Sequence, residues 1–145
     1  MIEVGDTVHM DASRRAVFEF LDDPANHVMV TPSLIAVENT RPLENGGKRA
    51  DFTYSIGGVK LSGELEETRH EPDDRMVFEL RGHLSGEIDI AFEPEDSGTR
   101  VTYSARYEIP GETLERLAEP FVRRYNEREV RTLLGNLKTR LEGEG

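Results

Sequence analysis

Between residues 51 and 63 the chain alternates: Phe52, Tyr54 and Ile56, then Val59 and Leu61, are apolar, while Asp51, Thr53, Ser55, Lys60 and Ser62 are polar. A period of two is the signature of strands with one wet face. Gly57-Gly58, between the two runs, supplies the pair of positive-φ positions that a type I′ hairpin turn needs. That turn sets the register: Ile56 opposite Val59, Tyr54 opposite Leu61, and Phe52 opposite Gly63.

The same pattern continues downstream. Met76, Phe78 and Leu80 share one face of a strand, as do Leu84, Ile88, Ile90 and Phe92 of the next. Val101, Tyr103, Ala105, Tyr107 and Ile109 then alternate with Arg100, Thr102, Ser104, Arg106 and Glu108. With residues 95–98 as the loop, Phe92 faces Val101 and Ile90 faces Tyr103. Adding residues 2–10 and the run from Leu34 to Leu43 gives seven strands, six of them consecutive, which reads as an antiparallel meander.

Helices fill the two gaps. Val17, Phe18 and Leu21 recur at helical spacing behind Ser13, a good N-cap, and Asp23-Pro24 restarts a short helix with Asp23 as N-cap and Pro24 in its first turn. From about Glu112 to Glu142, Leu114, Leu117, Phe121, Tyr125, Val130, Leu133, Leu137 and Leu141 recur at steps of three to five residues. This predicts one long helix, kinked at Pro120 and stopped at Gly143.

These elements set a geometric problem. Seven strands at about 4.8 Å make a sheet on the order of 30 Å wide, and one helix is only about 10 to 12 Å across. The sheet must therefore curl around the long helix while the short helices close the remainder, and such a shell easily encloses a cavity. The expected fold class is α+β: a curved seven-stranded antiparallel sheet wrapped around a C-terminal helix, in a single domain spanning residues 1–145.

Composition narrows the function classes. The net charge is −11, from 29 acidic and 18 basic residues, which repels phosphate backbones and anionic lipid surfaces, so nucleic acid is not an expected partner. Only three of the cations are lysines, Lys48, Lys60 and Lys138, and the acids are dispersed. Either adaptation to a high-salt cytoplasm or acidic bias in a GC-rich genome produces such counts. No cysteine is present, which excludes disulfides, thiolate catalysis and Cys-ligated metals. With no leader-like start and no apolar run near 18 residues, a cytoplasmic protein without an integral membrane segment is expected.

The stretch from Ala12 to His27, with its strand end, helix and Asp-Pro restart, and the last helix from Leu114 to Glu142, with its internal proline, carry a resemblance. Together with the element order they resemble the helix-grip fold of the START and birch-pollen-allergen superfamily. Within it, the chain is similar to the polyketide cyclase/dehydrase and lipid-transport group known as SRPBCC. The resemblance covers nearly the whole chain and implies a hydrophobic cavity for lipids, sterols, quinones or polyketides, with a minority of members acting as cyclases and some as protein-binding modules. Members commonly carry a tryptophan just after the Asp-Pro helix, where this chain has Val28 to Pro32, so no particular subfamily's ligand is carried over.

The candidate chemistry is sparse. His9 lies on the outward parity of the first strand, His70 beside a predicted loop with Pro72, and His83 in a turn. His27, on the short helix, is the one weak acid/base candidate, and a surface position is the simpler reading of it. No spaced ligand set for a metal and no serine elbow occur, and neither a metal nor a cofactor is expected. Glu67 shares the inward parity of Leu61 and Leu65, but Arg69 and Glu71 follow at once, which assigns it to a strand end in water.

Tyr54, Tyr103, Tyr107 and Tyr125 form a set in which each ring is expected to be buried while its hydroxyl needs a partner. Core packing is the simpler explanation of such a set, and a pocket with a few placed polar groups is the alternative. Gly63, Gly86 and Ala105 on the same parity either let the sheet bend or leave room for a ligand. The expected cavity lining is Phe52, Tyr54, Leu61, Phe78, Ile88, Ile90, Tyr103, Ala105 and Tyr107 from the sheet, and Phe121 and Tyr125 from the helix. Three functions remain open: binding or transport of a hydrophobic small molecule, a cyclase- or dehydrase-like reaction in the same cavity, or a protein-interaction module with a packed interior.

Overall fold

The computed structural model describes residues 2–109, 111 and 119–143. In chain order the elements are strand β1 (Ile2–Met10), helices α1 (Arg14–Leu21) and α2 (Pro24–Val30), strands β2 (Leu34–Pro42), β3 (Lys48–Ile56), β4 (Val59–Glu71), β5 (Arg75–Gly82), β6 (Ser85–Glu95) and β7 (Gly98–Glu108), and helix α3 (Glu119–Gly143). Leu114 and Leu117 of the predicted long helix lie outside the described residues, and the kink expected at Pro120 turns on that same stretch.

Both short helices start as their caps dictate. The Ser13 hydroxyl accepts from the Ala16 amide at 3.1 Å, and the Asp23 carboxylate accepts from the Ala25 amide at 3.0 Å with Pro24 in the first turn. Such caps satisfy amides that the first helical turn leaves without partners. The β3–β4 turn has φ of 56° at Gly57 and 85° at Gly58, and the register behind it pairs Ile56 with Val59, Tyr54 with Leu61 and Phe52 with Gly63. Across β6 and β7, Phe92 pairs with Val101, Ile90 with Tyr103 and Ile88 with Ala105.

All neighbours in the sheet are antiparallel, in the order β1-β7-β6-β5-β4-β3-β2. The first strand therefore completes the meander beside the last, leaving β1 and β2 as the edges. Helix α3 reaches towards both. Near its start the Tyr125 hydroxyl donates to the Ser55 carbonyl of β3 at 3.2 Å. Near its end the Lys138 ammonium donates to the His9 carbonyl of β1 at 2.9 Å, and Glu142 accepts from the Asp11 amide at 2.8 Å. The helix thus lies across the sheet from β3 to β1, over the face that the strands wrap around it.

The core between them is apolar: Met10, Val17, Ile56, Met76, Ile90, Phe92, Val101, Val122 and Leu137 are fully buried. Phe18 of α1 packs edge-on against Phe92 of β6 with ring centroids 5.9 Å apart, and Asn136 of α3 donates to the Val30 carbonyl of α2 at 3.0 Å. Strand β4 carries an irregularity that re-aims its far end. Glu67 pairs with Phe78 and Arg69 with Val77, so Thr68 is an extra residue, a β-bulge. Beyond it the inward parity shifts, and His70 pairs with Met76 on the same face as Glu67.

Candidate functional site

Between the concave face of the sheet, α2 and α3 lies a cavity of about 100 Å³, measured as space open to the centres of water molecules, where roughly 10–15 Å³ admits one water. It is larger than a packing defect. Its walls are Phe52, Tyr54, Leu65, Phe78, Leu80, Leu84, Ile88, Tyr103, Ala105 and Tyr107 from β3 to β7. Pro24, His27, Thr31, Leu34 and Val37 close one side, and Asn126, Glu129, Val130 and Leu133 of α3 close the other. The lining is mostly apolar, with a few polar groups converging on it, the usual composition of a small-molecule site.

Those polar groups fall into two kinds. Three phenols, Tyr54, Tyr103 and Tyr107, line the cavity, and none makes a hydrogen bond to another group among the described residues. Burial pushes the Tyr54 and Tyr103 phenols up, with the charge of Glu129 adding to it; at Tyr107 burial is followed by Tyr103 and then Glu129. The second kind is an ordered cluster. Glu129 is 9% exposed and accepts from the Ser33 amide at 2.7 Å and from the Ser33 hydroxyl at 2.9 Å. Ser33 in turn shares a short hydrogen bond with the Tyr125 hydroxyl. One turn back, the buried Asn126 donates to the Val122 carbonyl at 2.9 Å.

His27 is partly buried and faces the interior. Its ring lies edge-on to Phe78 at 5.6 Å, and its Nε2 is 2.7 Å from the Leu21 carbonyl. A carbonyl only accepts, so Nε2 carries the proton and Nδ1 is the basic nitrogen. The ring lines both the main cavity and a small neighbour of about 10 Å³ shared with Leu21, Ile90 and Leu137. Burial lowers its pKa, so at neutral pH it is an uncharged imidazole in the wall.

The expectation that Glu67 and His70 lie in water is also corrected. Glu67 is 1% exposed, and its carboxylate accepts from His70 Nδ1 at 2.8 Å and from the Lys48 amide at 3.2 Å. Burial raises its pKa, opposed by the His70 hydrogen bond and charge. Asp22 completes the group, and its donor atoms lie within 4.8 Å of those of Glu67 and His70, close enough to hold a metal ion. Lys48 Nζ stands 3.6 Å from Asp22 Oδ1, so a protein cation already offsets one of the cluster's two carboxylates. It lies outside the cavity lining and reads as an internal ion-pair network tying α1 to β3 and β4.

Of the residues expected to line a cavity, Phe52, Tyr54, Phe78, Ile88, Tyr103, Ala105 and Tyr107 do so, and Ile90 lines the small neighbour. Leu61 is buried but packed away from it. Phe121 is 48% exposed and stacks obliquely on Tyr125, whose hydroxyl is held by Ser33 and Ser55 outside the lining. The helix turns a different stripe inward: Val122, Asn126, Glu129, Val130, Leu133 and Leu137. A signal for it existed. The apolar series Phe121, Tyr125, Val130 contains a five-residue step, whereas 122, 126, 129, 133 and 137 keep steps of four, three, four and four, as a helix face requires.

Comparison with known proteins fits this geometry. The profile of the family described as polyketide cyclase / dehydrase and lipid transport matches residues 1–142. No curated protein sequence matches. Among solved structures, TTHA0849 from Thermus thermophilus superposes with a TM-score of 0.85 at 22% identity, covering 99% of both chains. A START superfamily protein from Mycobacterium smegmatis superposes at 0.78 and 15% identity, again over 99% of both chains. StfQ, a di-domain ARO/CYC protein from the steffimycin biosynthetic pathway, superposes at 0.77 and 15% identity over 99% of this chain and 51% of its own. The architecture is the helix-grip, START-like fold.

Proposed function

This chain belongs to the polyketide cyclase/dehydrase and lipid-transport family, and from that premise we propose that it binds or carries a hydrophobic small molecule, lipid, quinone or polyketide-like, between the sheet and α3. The observation that carries the reading is the mostly apolar cavity lined by the buried Tyr103 and Tyr107 and the half-buried Tyr54, whose hydroxyls have no hydrogen-bond partner among the described residues. A hydroxyl in a cavity wall takes its partner from whatever fills the cavity, water or ligand. A ligand with an apolar body and a few oxygen or nitrogen atoms supplies both the contacts and the partners. A solid, packed interior, as an interaction module would have, does not account for them.

A second reading has a specific observation in its favour. His27 presents a neutral imidazole in the cavity wall with Nε2 committed to Leu21, and a fixed tautomer with one basic nitrogen is what a general base needs. A cyclase- or dehydrase-like reaction would use it beside the tyrosine hydroxyls.

Ala105 gives the test of the binding reading. It pairs with Ile88 and Val4 in mid-sheet and lines the cavity. In a packed core, Ala105→Trp should cost about 1–3 kcal/mol or more through overpacking. With a cavity in front of it, the indole takes up that space, stability changes by less than about 1 kcal/mol, and uptake of a fluorescent hydrophobic probe seen with the wild type is lost. Strong destabilisation, together with no probe uptake by the wild type, would remove the binding reading.

A further inference from the structure

The charge in this cavity has one sign. Among the described residues no Lys or Arg lines it, and Glu129 is the lining residue with a formal charge, since burial keeps His27 neutral. A carboxylate offers about four acceptor sites, and Ser33 uses one on each oxygen of Glu129. Among the described residues no cation pairs with it, although Lys and Arg pair with carboxylates throughout the outer surface. Glu129 lines the same cavity as Tyr54, Tyr103 and Tyr107, and its charge adds to the upward push that burial gives all three phenols. Buried charges in proteins are ordinarily paired.

We propose that the cavity selects a hydrophobic ligand bearing a cationic nitrogen, a protonated amine, and rejects the matching carboxylate, with Glu129 as counter-ion and the phenol rings of Tyr54, Tyr103 and Tyr107 around the ammonium. This rests on the binding function proposed above and narrows it. An anionic ligand would face a like charge in a mostly apolar site and find no basic side chain; an ammonium would meet a carboxylate with free lone pairs and aromatic faces that attract cations. The protein's net charge of −11 acts in the same direction at long range.

The test uses three probes of one shape: 1-naphthylmethylamine, 1-naphthylmethanol and 1-naphthoate, followed by naphthalene fluorescence at pH 7. In 1 M potassium chloride, where the Debye length is about 3 Å and the field of the surface is screened, the amine should bind at least about tenfold tighter than the carboxylate, with the alcohol between them. Glu129→Gln, checked for folding by its thermal transition, should bring all three within about threefold of one another. Equal affinity of amine and carboxylate for the wild type overturns the inference but leaves the binding reading intact, because the alcohol still binds. A preference that survives in E129Q removes Glu129 as its cause. Binding of none of the three removes the binding reading and this inference with it. Should E129Q fail to fold, the wild-type comparison in 1 M salt decides alone.

Discussion

A histidine enclosed by apolar side chains holds its proton less tightly than one in water, and His27 carries that difference into the stability of the whole fold. Its pKa is lowered by burial from an ordinary value of about 6.5, so between the folded and unfolded values the unfolded chain binds more protons. Stability from this group is complete above about pH 6.5 and is lost as pH falls through that window. Glu67, whose pKa burial raises, works the other way: the folded state holds the extra proton, and its contribution is lost as pH rises from the usual carboxylate range. His27→Gln separates the two, because the glutamine amide can still donate to the Leu21 carbonyl while nothing titrates. Urea denaturation between pH 5 and 7.5 should show wild-type stability falling towards the acid end more steeply than that of the variant; parallel curves would mean a solvated imidazole. His27→Ala leaves the carbonyl without its donor and should cost about 1–3 kcal/mol. If a cyclisation or dehydration is found and His27→Gln lowers kcat 100-fold or more, the enzyme reading displaces the carrier.

At the scale of elements, the open question about glycines on the inner parity resolves in favour of sheet geometry. A Cβ on Gly86 would lie 2.0 Å from the Arg106 carbonyl oxygen, at a φ of 152°, and one on Gly63 would lie 2.1 Å from the Arg81 carbonyl oxygen. Both contacts are with backbone of the neighbouring strand, and neither glycine lines the cavity. They permit close approach where the sheet bends. Gly63→Ala and Gly86→Ala should each destabilise by more than about 2 kcal/mol in chemical denaturation; a shift below about 0.5 kcal/mol with probe binding abolished would instead assign them to ligand space. The strands and hairpin registers are readable from the sequence because turn chemistry is local: two adjacent glycines fix Ile56 against Val59 whatever the rest of the chain does. Two features are not readable in that way. The β4 bulge at Thr68 inserts one residue and reverses parity, so His70 turns inward against a pattern that places it in water. The inward stripe of α3 contains Asn126 and Glu129, and a search led by hydrophobicity passes over polar residues on a buried face and settles on Phe121. In both places a tertiary constraint overrides the binary pattern, and in α3 the override builds the polar wall of the cavity.

Apart from the buried carboxylates Glu67 and Glu129, much of the acid lies on the outside of the grip. On the convex face Arg49 pairs with Glu64 and Glu66, Arg81 with Glu64, Glu66 and Glu79, and Arg75 with Asp89. Two electrostatic effects therefore oppose each other. The cross-strand pairs attract, but exposed pairs are worth only about 0–1 kcal/mol each and salt weakens them. The unmatched excess of 11 negative charges repels over longer distances, and self-repulsion destabilises a compact state. Screening the excess should win, because the surplus acts over the entire surface whereas each pair is local and already solvated. Between about 0.1 and 2 M potassium chloride the Debye length falls from about 10 Å to below 3 Å. The melting temperature should rise over that range, by about 2–4 °C for each kcal/mol of repulsion removed in a chain of this size. A rise that continues to molar salt is what adaptation to a high-salt cytoplasm requires. A curve that is flat or falls would show that the arginine–carboxylate ladder on the convex face outweighs the surplus, and would leave the acidic composition as a bias of the genome with no role in stability.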